Sequence, residues 1–419
     1  MKQVFSSAWA LLLGMGLLMI GNGMQGTMIG IRGEIEGFST LQMSIIISAY
    51  FAGFLGGSKV APDMIRRVGH VRVFAALASL ISAVMILYPT LTDPWVWTAG
   101  RVIIGFCFSA VYVTAESWLN NAATNDNRGQ ALSAYMMVQT SGIVLAQVLL
   151  LTADPTGYVL FVIPSILVSI AITPILLSIS PTPAFERIQS TKLRDLWAFS
   201  PLAFVGMFLL GGIFSAQFGM APVYGSLAGL SVPQISTFVS MFFVGAMITQ
   251  FPIGWMSDRM ERRVLIIIVA AIGAGGTVIG AVLGDNFAML LVAAFVMGGT
   301  ANPLYSLLIA HTNDFLDPDD MAGVSGGLIF VSGLGAITGP LITGQAMDVA
   351  GPAGFFVFCF VLFIAMAVYG LYRSTQRSGT AVEDTGSYVA LSPSTGAMAV
   401  EVAQEIAIEE ALEDETTLS

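Results

Sequence analysis

Gly254-Trp255-Met256-Ser257-Asp258-Arg259-Met260-Glu261-Arg262-Arg263 is a short charged break between two long apolar runs, at about 234–256 and 264–284. The arrangement occurs twice. Pro62-Asp63-Met64-Ile65-Arg66-Arg67 closes the run at about 41–61, and the segment Asp258–Arg263 matches it 258 − 62 = 196 residues later. Gly142 falls opposite Gly339 at nearly the same offset, and a polar stretch at about 181–200 lies between the two copies. Self-similarity at a long period marks a chain assembled from like units.

Working outward from these breaks, apolar runs recur near 8–31, 41–61, 72–91, 96–119, 130–152 and 157–179, then near 201–221, 234–256, 264–284, 287–310, 323–346 and 354–373. Each is long enough to cross a hydrocarbon layer of about 30 Å as a helix. Only 10% of the 419 residues are charged, against about 25% in soluble domains, and the mean hydropathy is +0.83. Such a chain has lipid as its outer solvent. A membrane strand would alternate apolar and polar residues, whereas Val102–Val113 and Val264–Ile272 are apolar on every side. The expected fold is therefore an all-α integral membrane protein with twelve transmembrane helices. The 45 glycines suit close helix packing in lipid. The first run is too long for a signal peptide and reads as a retained helix. Cys107 and Cys359, both inside apolar runs, form neither a disulfide framework nor a metal site.

Lys and Arg mark the cytoplasmic side when they sit in short loops. Lys2, the group Lys59, Arg66, Arg67 and Arg72, then Arg128, the group Arg187, Lys192 and Arg194, the group Arg259, Arg262 and Arg263, and finally Arg373 and Arg377 all fall on one side of the predicted spans. The alternate loops hold Asp93, Asp154, Asp285 and Asp348, with Arg32 as their one base. Both termini are expected in the cytoplasm. Nine of the 26 acids follow the last run, and this tail, 374–419, is expected to be disordered because it lacks the apolar residues to fold alone.

The predicted units are 1–180 and 201–373, two pseudo-symmetric six-helix bundles joined by a cytoplasmic loop at 181–200. Two parallel six-helix repeats with a site between them are an established transporter plan. At these residues the chain resembles the major facilitator superfamily. Gly254–Arg263 is similar to that family's loop motif, a glycine followed by Asp-Arg and paired bases. Gly333-Leu334-Gly335-Ala336-Ile337-Thr338-Gly339-Pro340 resembles its Gly-rich Gly-Pro motif, here in the eleventh helix, and Arg101-Val102-Ile103-Ile104-Gly105 its fourth-helix motif. A narrower resemblance, to the YcaD-like branch of uncharacterised bacterial members, rests on Arg66–Arg72, Glu116-Ser117-Trp118-Leu119-Asn120 and Pro303-Leu304-Tyr305-Ser306. The resemblance implies the two-lobed fold, an inner-membrane location and alternating access, with proton coupling as the family default.

Polar side chains at membrane depth tend to face a bundle interior or a wet cavity. Asn22, Gln25 and Arg32 share an arc of roughly 80° on the first helix, as do Arg101, Ser109, Tyr112 and Glu116 on the fourth. Asn22, Gln25, Arg32, Arg101, Ser109 and Tyr112, with Gln139, Gln217, Gln250, Asn302 and Tyr305, are the candidate cavity residues, Arg101 foremost, as an anion anchor or as a charge that tunes a proton site. Polar rather than aromatic walls are expected. Glu116 is expected to pair with Arg66, Arg67 or Arg72 in a cytoplasmic latch, and Asp314 to do so with Arg259 or Arg262, with Asp258 in the same motif. Glu116, and after it Glu34, are the candidate proton carriers.

No nucleotide-binding Gly-x-x-x-x-Gly-Lys-Ser/Thr loop is present in the sequence, so an ion or solute gradient is the expected energy source. The expected partners are a small-molecule solute, protons and the bilayer, not nucleic acid. No cofactor, metal or catalytic residue is expected, and the chain is expected to work as a monomer. Export of a small amphipathic compound is slightly preferred. Uptake of a small anionic metabolite is the first rival, and a non-transporting sensor or scaffold the second.

Overall fold

The computed structural model describes residues 2–122, 128–177, 196–197, 199–316, 318–376, 388–391 and 400. Most of the predicted central loop and most of the tail lie outside them. Among the described residues twelve membrane-length helices follow one another. They are α1 (Lys2–Ile35), α2 (Thr40–Val68), α3 (His70–Thr90), α4 (Pro94–Ala122), α5 (Arg128–Leu149), α6 (Val159–Leu177), α7 (Pro201–Leu227), α8 (Val232–Ser257), α9 (Arg262–Leu283), α10 (Phe287–Asn313), α11 (Pro318–Ala350) and α12 (Gly354–Ser374). α11 and α12 form one apolar stretch, parted by a tight turn at Gly351–Ala353. α1, α2, α4, α8 and α11 overrun their predicted runs at both ends, whereas α6 is shorter than its run at both. α7 departs most from expectation. It runs past 221 to Leu227 and is wound as a π-helix over Ala216–Met220.

Local chemistry repeats with the fold. The α1–α2 turn contains Gly37 at φ 75°, and the α7–α8 turn contains Gly229 at φ 72°, 229 − 37 = 192 residues apart. Both glycines occupy the left-handed region that closes a helix cheaply only without a Cβ. Both turns carry the same three backbone bonds, Glu36, Gly37 and Phe38 to Arg32, Glu34 and Gly33, and Ala228, Gly229 and Leu230 to Tyr224, Ser226 and Gly225. Each is followed by a Ser-x-x-Gln capping box, Ser39 with Gln42 and Ser231 with Gln234. Asp93 and Asn286 then cap α4 and α10 from equivalent positions.

Within each half, glycines bring helix backbones into contact. A Cβ on Gly53 would lie 2.0 Å from the Val102 carbonyl oxygen, one on Gly57 2.2 Å from that of Phe106, and one on Gly105 1.9 Å from that of Tyr50, all between α2 and α4. The second half repeats the pattern between α8 and α10, with Gly245 against Phe295 at 2.1 Å and Gly298 against Phe242 at 2.1 Å. Lipid offers no hydrophobic drive for one apolar helix to choose another, so such close approach supplies the packing. Gly335, in the Gly-Pro segment of α11, packs likewise on the Phe208 carbonyl oxygen of α7 at 1.9 Å.

The halves meet through α1 with α7, α2 with α11 and α5 with α8. At the end bearing Asp93, Asp154 and Asp285, here termed the aspartate end, the joint is sealed. A Cβ on Gly30 of α1 would lie 2.6 Å from Pro222 Cβ of α7, and one on Gly344 of α11 would fall 1.9 Å from Ser44 Oγ of α2. Between this seal and the basic end the halves enclose a cavity, and α2 and α11 still touch beyond it, with Lys59 Nζ 4.2 Å from the centre of the Phe330 ring. Large apolar side chains project outward all round, Phe251 being 81% exposed and Val349 90%. That is untenable in water and natural against acyl chains.

Candidate functional site

A central cavity of about 130 Å³ lies between the halves. Its walls come from α1, α2, α4 and α5 on one side and α7, α8, α10 and α11 on the other. Of the candidate residues, Asn22, Gln25, Arg101, Tyr112 and Tyr305 stand on these walls. The first four form one directed chain of hydrogen bonds. Arg101 Nη1 donates to Gln25 Oε1 at 2.6 Å, Gln25 Nε2 donates to Asn22 Oδ1 at 3.0 Å, and Asn22 Nδ2 donates to Tyr112 Oη at 3.1 Å. The Arg101 guanidinium also lies over the Tyr50 ring, 4.5 Å from its centroid. Arg101 is buried, and among the described residues it has no carboxylate partner; its Nε has no hydrogen-bond partner. Across the cavity, the buried Tyr305 hydroxyl is likewise without a hydrogen-bond partner among them.

The wall around this polar chain is aromatic, contrary to the expected polar lining. Tyr50, Phe51 and Phe54 come from the first half, and Phe214, Phe218 and Phe243 from the second. Spacings of one helical turn, Tyr50 to Phe54 and Phe214 to Phe218, were the available signal. They read as ordinary core because nothing in one helix tells which apolar face looks inward. Gln147, also on the wall, accepts from Thr27 Oγ1 at 3.1 Å. The π-helical turn of α7 carries Phe218 and Gly219 into the cavity, the kind of local irregularity often found at functional sites.

Other candidates lie off the walls. Arg32 sits at the aspartate end, where it pairs with Glu36 and donates to the backbone carbonyls of Pro155 (2.9 Å), Thr156 and Gly157 (3.4 Å). It ties α1 to the α5–α6 loop. In that loop the Thr156 backbone N–H and hydroxyl, each at 2.8 Å, hold the Asp154 carboxyl below the usual carboxylate range, with Arg32 acting in the same direction. Glu34, the second proton-carrier candidate, is exposed at the same end. Ser109 and Gln139 are buried within the first half, Gln139 beside Tyr135. Gln217 is buried in the π-turn with no hydrogen-bond partner for its Nε2 among the described residues. Asn302 donates back to Gly298 O at 3.3 Å within α10.

The expected pairing of Glu116 with Arg66, Arg67 or Arg72 is not formed. Those arginines are exposed, Arg66 pairing with Asp63 of its own helix. Glu116 is instead buried and faces α5, with Tyr135 Oη donating to its Oε1 at 3.5 Å. Glu116 lies nearly two helical turns before the end of α4, on the side that faces Tyr135. In the second half Arg262 and Asp314 do pair, each side chain 2% exposed, and Arg262 also donates to Ser257 Oγ and Ala310 O, both at 3.2 Å. Arg259 turns away, stacking on Trp255 at 4.3 Å.

Gln250 contacts a segment expected to be disordered. Its Nε2 donates to Ser306 Oγ and to Tyr388 Oη, both at 3.0 Å. The Tyr388 backbone N–H donates to Asp258 Oδ1 at 3.1 Å, and Leu391 is buried on the second half. Burial raises the Tyr388 phenol above its ordinary range. Of the tail expected to be disordered, Ser374 ends α12 and Thr375 and Gln376 form a turn, and the rest apart from 388–391 and Val400 lies outside the described residues.

The sequence profile described as Major Facilitator Superfamily matches residues 11–236 and 203–400. An uncharacterised MFS-type transporter of Yersinia pestis is 28% identical over 343 residues, covering 81% of this chain and 88% of the relative. The YcaD MFS-type transporter of Salmonella arizonae, also uncharacterised, is 24% identical over 348 residues with the same coverage. Among solved structures, a mutant form of the nucleoside transporter NupG superposes with a TM-score of 0.75 at 13% identity, over 87% of this chain and 98% of that one. A bacterial homologue of the human lysosomal transporter Spinster, described as inward-facing and unoccupied, gives 0.68 at 15% identity, over 97% and 98%. These likenesses extend across both halves. The chain belongs to the major facilitator superfamily and is a multi-pass membrane transporter.

Proposed function

We propose that this transporter moves a small amphipathic anion by alternating access, its acidic group held at Arg101 and its apolar body between the aromatic walls. One observation carries the reading: a buried guanidinium on the cavity wall without a counter-charge among the described residues. Isolating an ion this way costs several kcal/mol, and a ligand carboxylate or phosphate would supply what is missing through charge-assisted hydrogen bonds. The unpartnered Tyr305 hydroxyl faces the same space from the other half. A solute touching both groups bridges the two lobes, so its binding can be felt by their relative motion.

The basic loops are assigned to the cytoplasm by their charge, which puts both termini there, in a bacterial inner membrane. On that orientation the sealed aspartate end corresponds to an inward-facing state. The proton is assigned to Glu116, buried close to Tyr112, Tyr135 and Tyr305. Export in exchange for protons is the preferred direction, since aromatic walls suit an amphipathic compound. Proton-linked uptake of a small anionic metabolite draws on the same Arg101, and a single chain is sufficient for either. The test is counterflow in proteoliposomes with matched aromatic carboxylates, amides and amines, repeated with a pH gradient of each sign. Saturable flux of the carboxylates alone, responding to the gradient, is expected. Equal flux of amides or amines would overturn the anion reading, and indifference to the gradient the proton coupling.

A further inference from the structure

Three groups on one stripe of α8 and its C-cap, Gln250, Gly254 and Asp258, spaced a helical turn apart, all engage Tyr388. Gln250 Nε2 donates to its hydroxyl at 3.0 Å, and Asp258 Oδ1 accepts its backbone N–H at 3.1 Å. Between them a Cβ on Gly254 would lie 2.7 Å from Tyr388 Cδ1, so only glycine leaves room for the ring. Three residues on, Leu391 closes a reciprocal pair with Ser306 of α10. Its N–H donates to Ser306 Oγ at 2.9 Å, and that hydroxyl donates back to Leu391 O at 3.2 Å. Leu391 is 4% exposed.

The depth of this contact is informative. Ser306 lies 313 − 306 = 7 residues inside the end of α10, about 10 Å along the helix. Its neighbour Tyr305 stands on the cavity wall. An extended stretch of the tail therefore reaches into the basic end and bonds to the residue that follows a cavity-lining tyrosine. Gly254 and Asp258, which the loop motif suggests for a latch between helices, are both occupied by this stretch instead.

We propose that Tyr388-Val389-Ala390-Leu391 is an intrachain plug, docked in a slot between α8 and α10 and obstructing the cavity from the basic end. The peptide rests on the second half alone, so the proposal requires that the first half meet it when that end closes and that each cycle release it. The plug does not depend on which solute is carried, and it can fail without touching the anion reading.

The test uses the full chain in nanodiscs. A photoreactive benzoylphenylalanine in place of Tyr388 should crosslink to the α8 fragment containing Gly254, as mapped by mass spectrometry. Ser332→Cys, on the cavity wall, then reports access to a bulky hydrophilic maleimide; Cys107 and Cys359 are both buried and set the background. Tyr388→Ala should speed labelling at least about fivefold, the worth of one lost neutral hydrogen bond of about 1 kcal/mol. Leu391→Pro, which removes the N–H donated to Ser306, should act in the same direction without altering α8 or α10. A crosslink to α8 together with faster labelling supports the plug. Adducts elsewhere overturn the docking, and an α8 crosslink with unchanged labelling in both variants overturns the obstruction.

Discussion

Replacing Arg101 by methionine asks whether the guanidinium is kept for a ligand or for the fold. The side chain gains one charge-assisted hydrogen bond, at 2.6 Å to Gln25, and one contact with the Tyr50 ring at 4.5 Å. These contribute about 1.5–3 kcal/mol and about 2 kcal/mol when desolvated. Against them stand the unpaired Nε–H, costing about 1–3 kcal/mol, and the desolvation of an ion without counter-charge, several kcal/mol more. The opposing terms cancel to within about 2 kcal/mol, so the unfolding temperature of Arg101→Met should move by no more than about 4–8 °C. Phe108→Ala, which empties a fully buried site on the same helix, should cost about 3–5 kcal/mol. Affinity behaves differently. Loss of a buried charge-assisted contact to an anionic solute, worth about 1.5–3 kcal/mol, should weaken binding about 10–150-fold. Thermal unfolding of both variants, with and without an aromatic carboxylate that stabilises the parent chain, measures both quantities. If Arg101→Met melts as early as Phe108→Ala yet keeps its ligand shift, Arg101 is a structural residue and the anion reading fails.

Gly105→Ala should destabilise by about 1–3 kcal/mol in thermal unfolding, because its Cβ would sit 1.9 Å from the Tyr50 carbonyl oxygen; Gly26→Ala, with nothing within 4 Å, should leave stability almost unchanged. Glu116→Gln should abolish flux driven by a pH gradient while preserving counterflow exchange in liposomes, and equal loss of both would remove Glu116 from proton transfer. Asp314→Asn removes the carboxylate paired with the buried Arg262 and should cost about 3–5 kcal/mol by thermal or denaturant unfolding. Gly30→Trp cannot fit against Pro222; it should pry open the aspartate end, read as faster maleimide labelling of a cysteine placed there.

The twelve helices were legible because span length and hydropathy are properties of the bilayer, independent of which neighbour a helix meets. Both halves were legible for a related reason, since the charged break after the second helix and its copy after the eighth are local chemistry that survives divergence. The polar chain from Arg101 to Tyr112 was visible as stripes on two helices, because burying such groups in lipid leaves few places to point them. What stayed hidden depended on contacts between helices. Phe54 and Phe243 look alike in sequence to any lipid-facing phenylalanine, and only packing turns them inward. Glu116 appeared close enough to the basic loop when counted along α4, but its direction around the helix takes it to Tyr135. The tail looked featureless because four residues with one tyrosine and three aliphatic side chains carry too little pattern to announce a slot made by Gly254.

The glycine-to-carbonyl contacts between α2 and α4, and between α8 and α10, bear on how this chain can diversify. They leave no slack inside either lobe: any added atom at Gly53, Gly105, Gly245 or Gly298 meets backbone, which cannot rotate aside. The aromatic cavity residues sit under no such constraint, because they face space. Selection can therefore rewrite the chemistry of the cargo by exchanging a few rings while the two solid bodies that carry them stay untouched. Sequence drift should accordingly be steep along the walls and shallow along those helix seams.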